Sequence, residues 1–176
     1  MKKIYHYAKL IVRSITDELE VAEGDENSFD FEQNLITLDF TPQPDFGFAR
    51  HRREVHKCHL KVDERLWTIL HEIGHYMTDD ELTEEDYKET EVANEVAKLY
   101  CSLVPADVAI NNPAIQNLYF DTPSEWLATE WAIDYVKHHY FKCKKWSRGF
   151  RSYWPNHFRR NTSKFIFQKV VDFFNI

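Results

Sequence analysis

The run His71-Glu72-Ile73-Gly74-His75 sets two imidazoles four residues apart, with a carboxylate beside the first. On a helix, residues at that spacing lie one turn above each other, so both rings can be aimed at one point. This is what a zinc ion asks of a protein: nitrogen ligands at about 2.0–2.1 Å and, in catalytic sites, three protein ligands with one position left for water. Glu72 lies about 100° round the helix from His71, beside that open position, where it could take the proton of a bound water. The chemistry in view is hydrolysis, with His71 and His75 as metal ligands, Glu72 as the catalytic base and Zn2+ as the cofactor.

The surrounding residues argue for a helix that is more than a scaffold. Leu66-Trp67-Thr68-Ile69-Leu70 precedes the motif, and Tyr76-Met77 follows it. So apolar a run predicts a buried helix, in which the histidines are partly desolvated and need partners. The competing reading is a core helix carrying two exposed histidines. Gly74 costs roughly 1 kcal/mol against alanine inside a helix, which implies that something passes close to the backbone there. Asp63 is the expected N-cap, and the helix is expected to end near Thr78.

Two histidines do not complete a zinc site, and the third donor must come from elsewhere in the chain. Glu91 and Glu95 lie four apart on a following helix, and Glu95 stands 20 residues beyond His75, a gap also used by two-helix zinc peptidases of the thermolysin kind. Glu125 opens a later helix, 50 residues beyond His75. Glu125, Ala128 and Ala132 share one face, and the two small residues let that helix approach the motif helix closely.

The stretch Glu125-Trp126-Leu127-Ala128-Thr129-Glu130-Trp131-Ala132 matches the E-x-x-A-[NDT]-x-[FW]-A pattern that follows HExxH in metallopeptidases of the ImmA/IrrE type. Pro123 before it, and Tyr135 after Trp131-Ala132, are similar to versions in phage and prophage proteins of that broad group. The resemblance covers roughly residues 54–140. It implies Glu125 as the third ligand, a minimal zincin-like fold, and a protein or peptide substrate, with repressor cleavage as the family's example. No helix-turn-helix is recognisable here. The chain departs from the family in the insert from Asp79 to Asp121, which is longer than usual and carries helices of its own. Leu103-Val104-Pro105-Ala106-Asp107 echoes the family's helix end after its ligand glutamate, so Glu91 and Glu95 stay in play as rivals.

The elements that must hold these residues follow from periodicity. Ile4, Ala8, Ile11, Val12, Ile15 and Leu19 predict a first amphipathic helix of about four turns, ending before Gly24. Residues 28–32 and 35–40 alternate about Gln33-Asn34 and predict a hairpin. Residues 54–62 alternate weakly and predict another strand. The basic cluster Arg50-His51-Arg52-Arg53 with His56, Lys57 and His59 marks it as a solvated edge, or as an edge that pairs with an extended substrate. Thr83 with Asp86 predicts a capping arrangement for a helix over about 87–104, whose apolar stripe is Val92, Val96, Leu99 and Leu103. Thr122 or Ser124 caps the next helix, and Gly149 and Pro155 are expected to interrupt the tail. Asp134 is a candidate for orienting a ligand histidine. Tyr135, His138, His139 and Tyr140 are candidates for holding a substrate oxygen, with a place on the helix surface as the plainer alternative for all five.

The chain has 176 residues, 43% apolar and 15% aromatic, with few glycines and prolines. That predicts a single α+β domain over 1–176, a small sheet packed on the motif helix with several further helices. Cys58, Cys101 and Cys143 stand far apart and form no C-x-x-C pair, which excludes a disulfide framework or zinc ribbon. Met1-Lys2-Lys3 resembles the start of a signal peptide, but His6, Lys9 and Arg13 interrupt the apolar core it would need. No run of about 18 apolar residues is present, so a cytoplasmic protein with no membrane partner is expected.

The net charge is −7, unevenly spread. Residues 79–95 are strongly acidic, whereas residues 135–171 hold ten Lys or Arg and no Asp or Glu. Basic residues alternate with aromatics over 141–176, the footprint of a nucleic-acid partner. The competing expectation is that these aromatics are core and that the cations cover the acidic segment. At the level of function, zinc-dependent peptide hydrolysis stands against a catalytically silent binding module acting on nucleic acid or a host protein.

Overall fold

The computed structural model describes residues 2–25, 27–40, 62–104, 108 and 112–152. The expected strand and basic cluster over 50–61, and the tail beyond 152 with Pro155, lie outside the described residues. What is described is α+β: a small three-stranded sheet and six helices among the described residues.

Helix α1 (Lys2–Arg13) buries Tyr5, Ala8, Ile11 and Val12 at helical spacing. It stops earlier than the periodicity predicts. The Ser14 hydroxyl donates to the Ile11 carbonyl at 2.7 Å, and the chain turns. Leu19 is buried without being helical, and β1 (Glu20–Glu23) occupies residues expected to be helix. The reason is a non-local ladder: β1 pairs in parallel with β3 (Leu35–Leu38), with Val21 opposite Ile36. A pairing partner 15 positions away leaves no trace in local periodicity.

The hairpin forms as expected. Strand β2 (Ser28–Asp30) runs antiparallel to β3, Phe29 opposite Ile36, giving the order β1-β3-β2. Asp30 accepts from the amides of Glu32 and Gln33 at 2.9 and 3.0 Å, and Asn34 takes a positive φ of 48°, a value that asparagine tolerates. Alternation along β3 turns Ile36 and Leu38 into the core.

Helix α2 (Glu64–Thr78) runs through the centre of the molecule. Its N-cap is Asp63, whose side chain accepts from the Arg65 amide and also binds the Arg65 guanidinium. Every residue from Leu66 to His75 is buried, as a helix apolar on nearly all sides must be. The sheet, α1 and α6 pack around it, and its most extensive neighbour is α5.

A short 3-10 turn (Asp79–Glu81) leads to α3 (Glu84–Leu103), which opens on a reciprocal capping box between Thr83 and Asp86. Here the apolar stripe faces out. Val92, Val96, Leu99 and Leu103 are exposed, Leu103 at 74%, while small Ala93 is buried. Helices α4 (Pro113–Phe120) and α5 (Pro123–His138) pack on α3. A coherent apolar face shows that a helix is amphipathic, but not which side meets the core.

Only His139 separates α5 from α6 (Tyr140–Ser152), whose inner side buries Cys143, Ser147 and Phe150. Gly149 lies within α6 and does not end it. A β-carbon there would collide with the Tyr7 ring, so glycine is what lets α1 approach. The Ser147 hydroxyl accepts from the Asp63 amide at 2.9 Å, which ties α6 to the start of α2. Among the described residues, no helix is long and apolar enough to cross a membrane.

Candidate metal centre

Helix α2 presents His71 and His75 one turn apart on one face, with ring centroids separated by 4.8 Å. The first turn of α5 presents Glu125 to them. Pro123 occupies an early position of α5, where a missing N–H costs nothing, and Thr122 precedes it as the N-cap. The Thr122 hydroxyl donates back to the Tyr119 carbonyl and makes no side-chain cap.

The two helices approach because their facing residues are small. An added β-carbon at Gly74 would lie 2.8 Å from the Ala128 Cα, 3.0 Å from its carbonyl carbon and closer still to its oxygen. The close passage expected at Gly74 is therefore the backbone of α5. Ala128 and Ala132 are fully buried on the same face as Glu125.

This packing brings three side chains together. His71 Nε2 lies 3.0 Å from Glu125 Oε2, and His75 Nε2 lies 3.5 Å from Glu125 Oε1. One ligand atom from each residue falls within 4.8 Å of the others, and all three residues are buried. The group can hold a metal ion. The rivals for the third position do not converge: Glu91 and Glu95 are exposed on α3, and Glu95 pairs with Lys98 at 3.3 Å.

Burial sets the protonation of the site. It pushes both imidazoles down to about 4; for His75 the neighbouring His71 adds to the effect and the Glu125 charge opposes it. Both rings are therefore neutral near pH 7, the form that ligates metal. Glu72 is 6% exposed, and burial, reinforced by the Glu125 charge, raises its carboxyl well above the ordinary range.

The outer nitrogens are also engaged. His75 Nδ1 lies 3.1 Å from Ser124 Oγ, and His71 Nδ1 lies 3.4 Å from Thr129 Oγ1. From the sequence, Ser124 reads only as a cap and Thr129 only as one position of a pattern. The available signal was position: Ser124 adjoins Glu125, and Thr129 lies one turn beyond it on the same side. Asp134, considered for this orienting role, is exposed and pairs with Lys137 at 2.9 Å. Tyr135 stacks between Trp131 and Trp146, His138 bonds the Asp134 carbonyl, and His139 is exposed and packs on Tyr135. Tyr140 lies half-buried against Phe141. These four have their contacts on α5 and α6, and none has a described contact with the three converging side chains.

Searched against family models, curated proteins and solved structures, the chain matches none.

Proposed function

We propose that the chain is a zinc-dependent peptide hydrolase, in which His71, His75 and Glu125 hold the ion and Glu72 handles the proton. The observation that carries this reading is the convergence of three buried side chains, His71, His75 and Glu125, with ligand atoms within 4.8 Å of one another and both imidazoles held neutral by burial. A carboxylate removed from water without compensating charge costs several kcal/mol. A divalent cation among these donors offsets that cost. Two imidazole nitrogens and one carboxylate suit zinc. Among the described residues the group ends at three donors, the number that catalytic zinc sites use.

When bound, zinc supplies Lewis acidity toward a carbonyl oxygen and lowers the pKa of water. The remaining work belongs to the chain. A Glu72 carboxylate oxygen receives the proton of the attacking water and later returns it to the departing amine nitrogen. Burial raises its pKa, which makes it a stronger base than a carboxylate of ordinary pKa. His71 and His75 stay oriented through Thr129 and Ser124. The resemblance to ImmA/IrrE-type enzymes supports the zincin-like assignment, a protein or peptide substrate, a cytoplasmic setting and an origin in a phage, prophage or mobile element.

The test separates metal binding from turnover. Glu72→Gln retains one equivalent of zinc and loses about 10²–10⁴-fold of peptidase activity on a denatured protein substrate. Glu125→Ala loses stoichiometric zinc, whereas Glu95→Ala keeps it. A Glu72→Gln protein that cleaves as fast as wild type ends the mechanism. A zinc-loaded wild-type protein that cleaves no peptide in a diverse library favours the silent binding module.

A further inference from the structure

Helix α6 carries five cations, Lys142, Lys144, Lys145, Arg148 and Arg151, and no acidic residue, in a chain of net charge −7. Its inner side is fixed by Cys143, Ser147 and Phe150. The opposite side therefore presents Phe141, Lys145, Arg148 and Ser152, which recur at i, i+4, i+7 and i+11 and are all exposed. Phe141 is 84% exposed, the most exposed large apolar side chain among the described residues. It stands within an arc of positive charge, with Lys144 and Arg151 on one flank and Lys142 on the other.

Two of these cations have defined positions. The Lys142 ammonium lies 4.7 Å from the Trp146 ring centroid, and the Lys144 ammonium 5.5 Å from that of Tyr140. Lys142 also donates to the Ser14 carbonyl and the Tyr135 hydroxyl. The alternative use of this charge, covering the acidic segment 79–95, does not fit the packing. Helix α6 lies on α2, α5 and α1, and the α3 carboxylates Glu84 and Glu95 pair with lysines of their own helix.

We infer that the outward face of α6 binds single-stranded nucleic acid, with Lys145 and Arg148 on phosphates, the flanking cations beside them, and the Phe141 ring stacked on an unpaired base. A polyanion complements the charge. A solvated aromatic ring amid that charge selects a partner with accessible π-faces, and in a duplex those faces are stacked away. In the sequence the same absence of acid continues to Val171, with Tyr153, Trp154 and Phe158 interspersed.

The experiment uses the full chain and fluorescence anisotropy with a short labelled oligothymidylate or oligouridylate. Binding is expected at about 50 mM salt, with log K falling against log salt at a slope of about −2 to −3 for three to four neutralised phosphates. Phe141→Ala weakens binding about 5- to 100-fold and leaves the slope unchanged. The pair Lys145→Glu and Arg148→Glu flattens the slope by more than about 1. All three side chains are exposed, so unchanged circular dichroism and thermal midpoint accompany these effects. Preference for oligouridylate or oligothymidylate decides between RNA and DNA within the proposal. No binding at low salt overturns it, as does indifference to all three substitutions. So does tighter binding of a duplex that Phe141→Ala leaves intact, or binding of anionic phosphatidylserine vesicles with none of the oligonucleotides.

Discussion

Replacing Gly74 with alanine tests whether the metal centre is set by how closely α5 approaches α2. In a solvated helix interior this change stabilises by roughly 1 kcal/mol. Here the new β-carbon would lie 2.8 Å from the Ala128 Cα and 3.0 Å from its carbonyl carbon, against a comfortable carbon–carbon separation of about 3.5 Å or more. The helices must part by about 0.7 Å at least. The obstacle is backbone, so no rotamer change relieves it. Overpacking of this kind costs about 3 kcal/mol at the upper end of its usual range. Less the propensity gain, the net loss is about 2 kcal/mol, a fall in Tm of roughly 4–8 °C for a chain of this size.

The same displacement moves Glu125, whose contact with His71 is 3.0 Å. Zinc affinity should therefore fall along with stability, by more than about tenfold, because ligand positions matter on the scale of tenths of an ångström. Thermal unfolding in the presence of a chelator reads the first effect, and competition with a zinc indicator reads the second. Ala128→Gly in the same protein should not rescue either one, because the atoms in the way are main-chain atoms. A Gly74→Ala protein with Tm and zinc affinity equal to or above wild type would refute the reasoning.

Two other outcomes follow from burial. In the metal-free chain, His71 and His75 have pKa values of about 4, below their ordinary 6.5, so between these values the unfolded chain binds more protons. Their stability contribution is complete above about pH 6.5 and is lost as pH falls toward 4. Glu72, raised by burial, acts in the opposite sense: its contribution is present at low pH and is lost as pH rises through its folded pKa. With two groups against one, urea midpoints in chelator should correspond to a loss of about 1–2 kcal/mol from pH 7 to pH 5, and a rise would contradict the assignment. On α3, Leu99 is 61% exposed, so Leu99→Ser should change stability by less than about 0.5 kcal/mol, whereas fully buried Leu70→Ala should cost about 2–5 kcal/mol in the same urea series.

What the sequence made legible was local. Asp63 as a cap, the Thr83–Asp86 box, the turn at Gln33-Asn34 and the close approach at Gly74 each follow from a few neighbouring residues and a steric or hydrogen-bonding rule. The parallel ladder of β1 with β3 was not legible, because Glu20–Glu23 carries no pattern of its own and gains its strand from Leu35–Leu38. The direction of the α3 stripe is not legible, because amphipathicity has no sign until a neighbour is known. The choice among Glu91, Glu95 and Glu125 was open on spacing alone. What separates them is that the first turn of α5 faces α2 while α3 turns both of its glutamates to solvent.

The hydroxyls of Ser124 and Thr129 suit either tautomer of the histidines. A neutral imidazole carries one N–H. In His71, whose Nε2 lies 3.0 Å from Glu125, a carboxylate partner calls for the proton on Nε2, and Nδ1 then accepts from Thr129; the same tautomer is the expectation for His75, whose Nε2 lies 3.5 Å from Glu125 and Nδ1 3.1 Å from Ser124. With a cation as the partner of Nε2, the proton must sit on Nδ1, which then donates to the same hydroxyl. Only a group that both donates and accepts serves both tautomers without losing a hydrogen bond. An aspartate in its place would hold the proton on Nδ1 permanently and make each ring a stronger ligand. Accordingly, Ser124→Ala should weaken zinc binding about 10- to 100-fold, and Ser124→Asp should tighten it and slow release to a chelator. Nitrogen-15 spectra of the His75 ring should show the proton moving from Nε2 to Nδ1 on zinc addition in wild type, and resident on Nδ1 throughout in Ser124→Asp. A wild-type ring whose tautomer is the same with and without zinc would show that the serine fixes the ring and does not follow it.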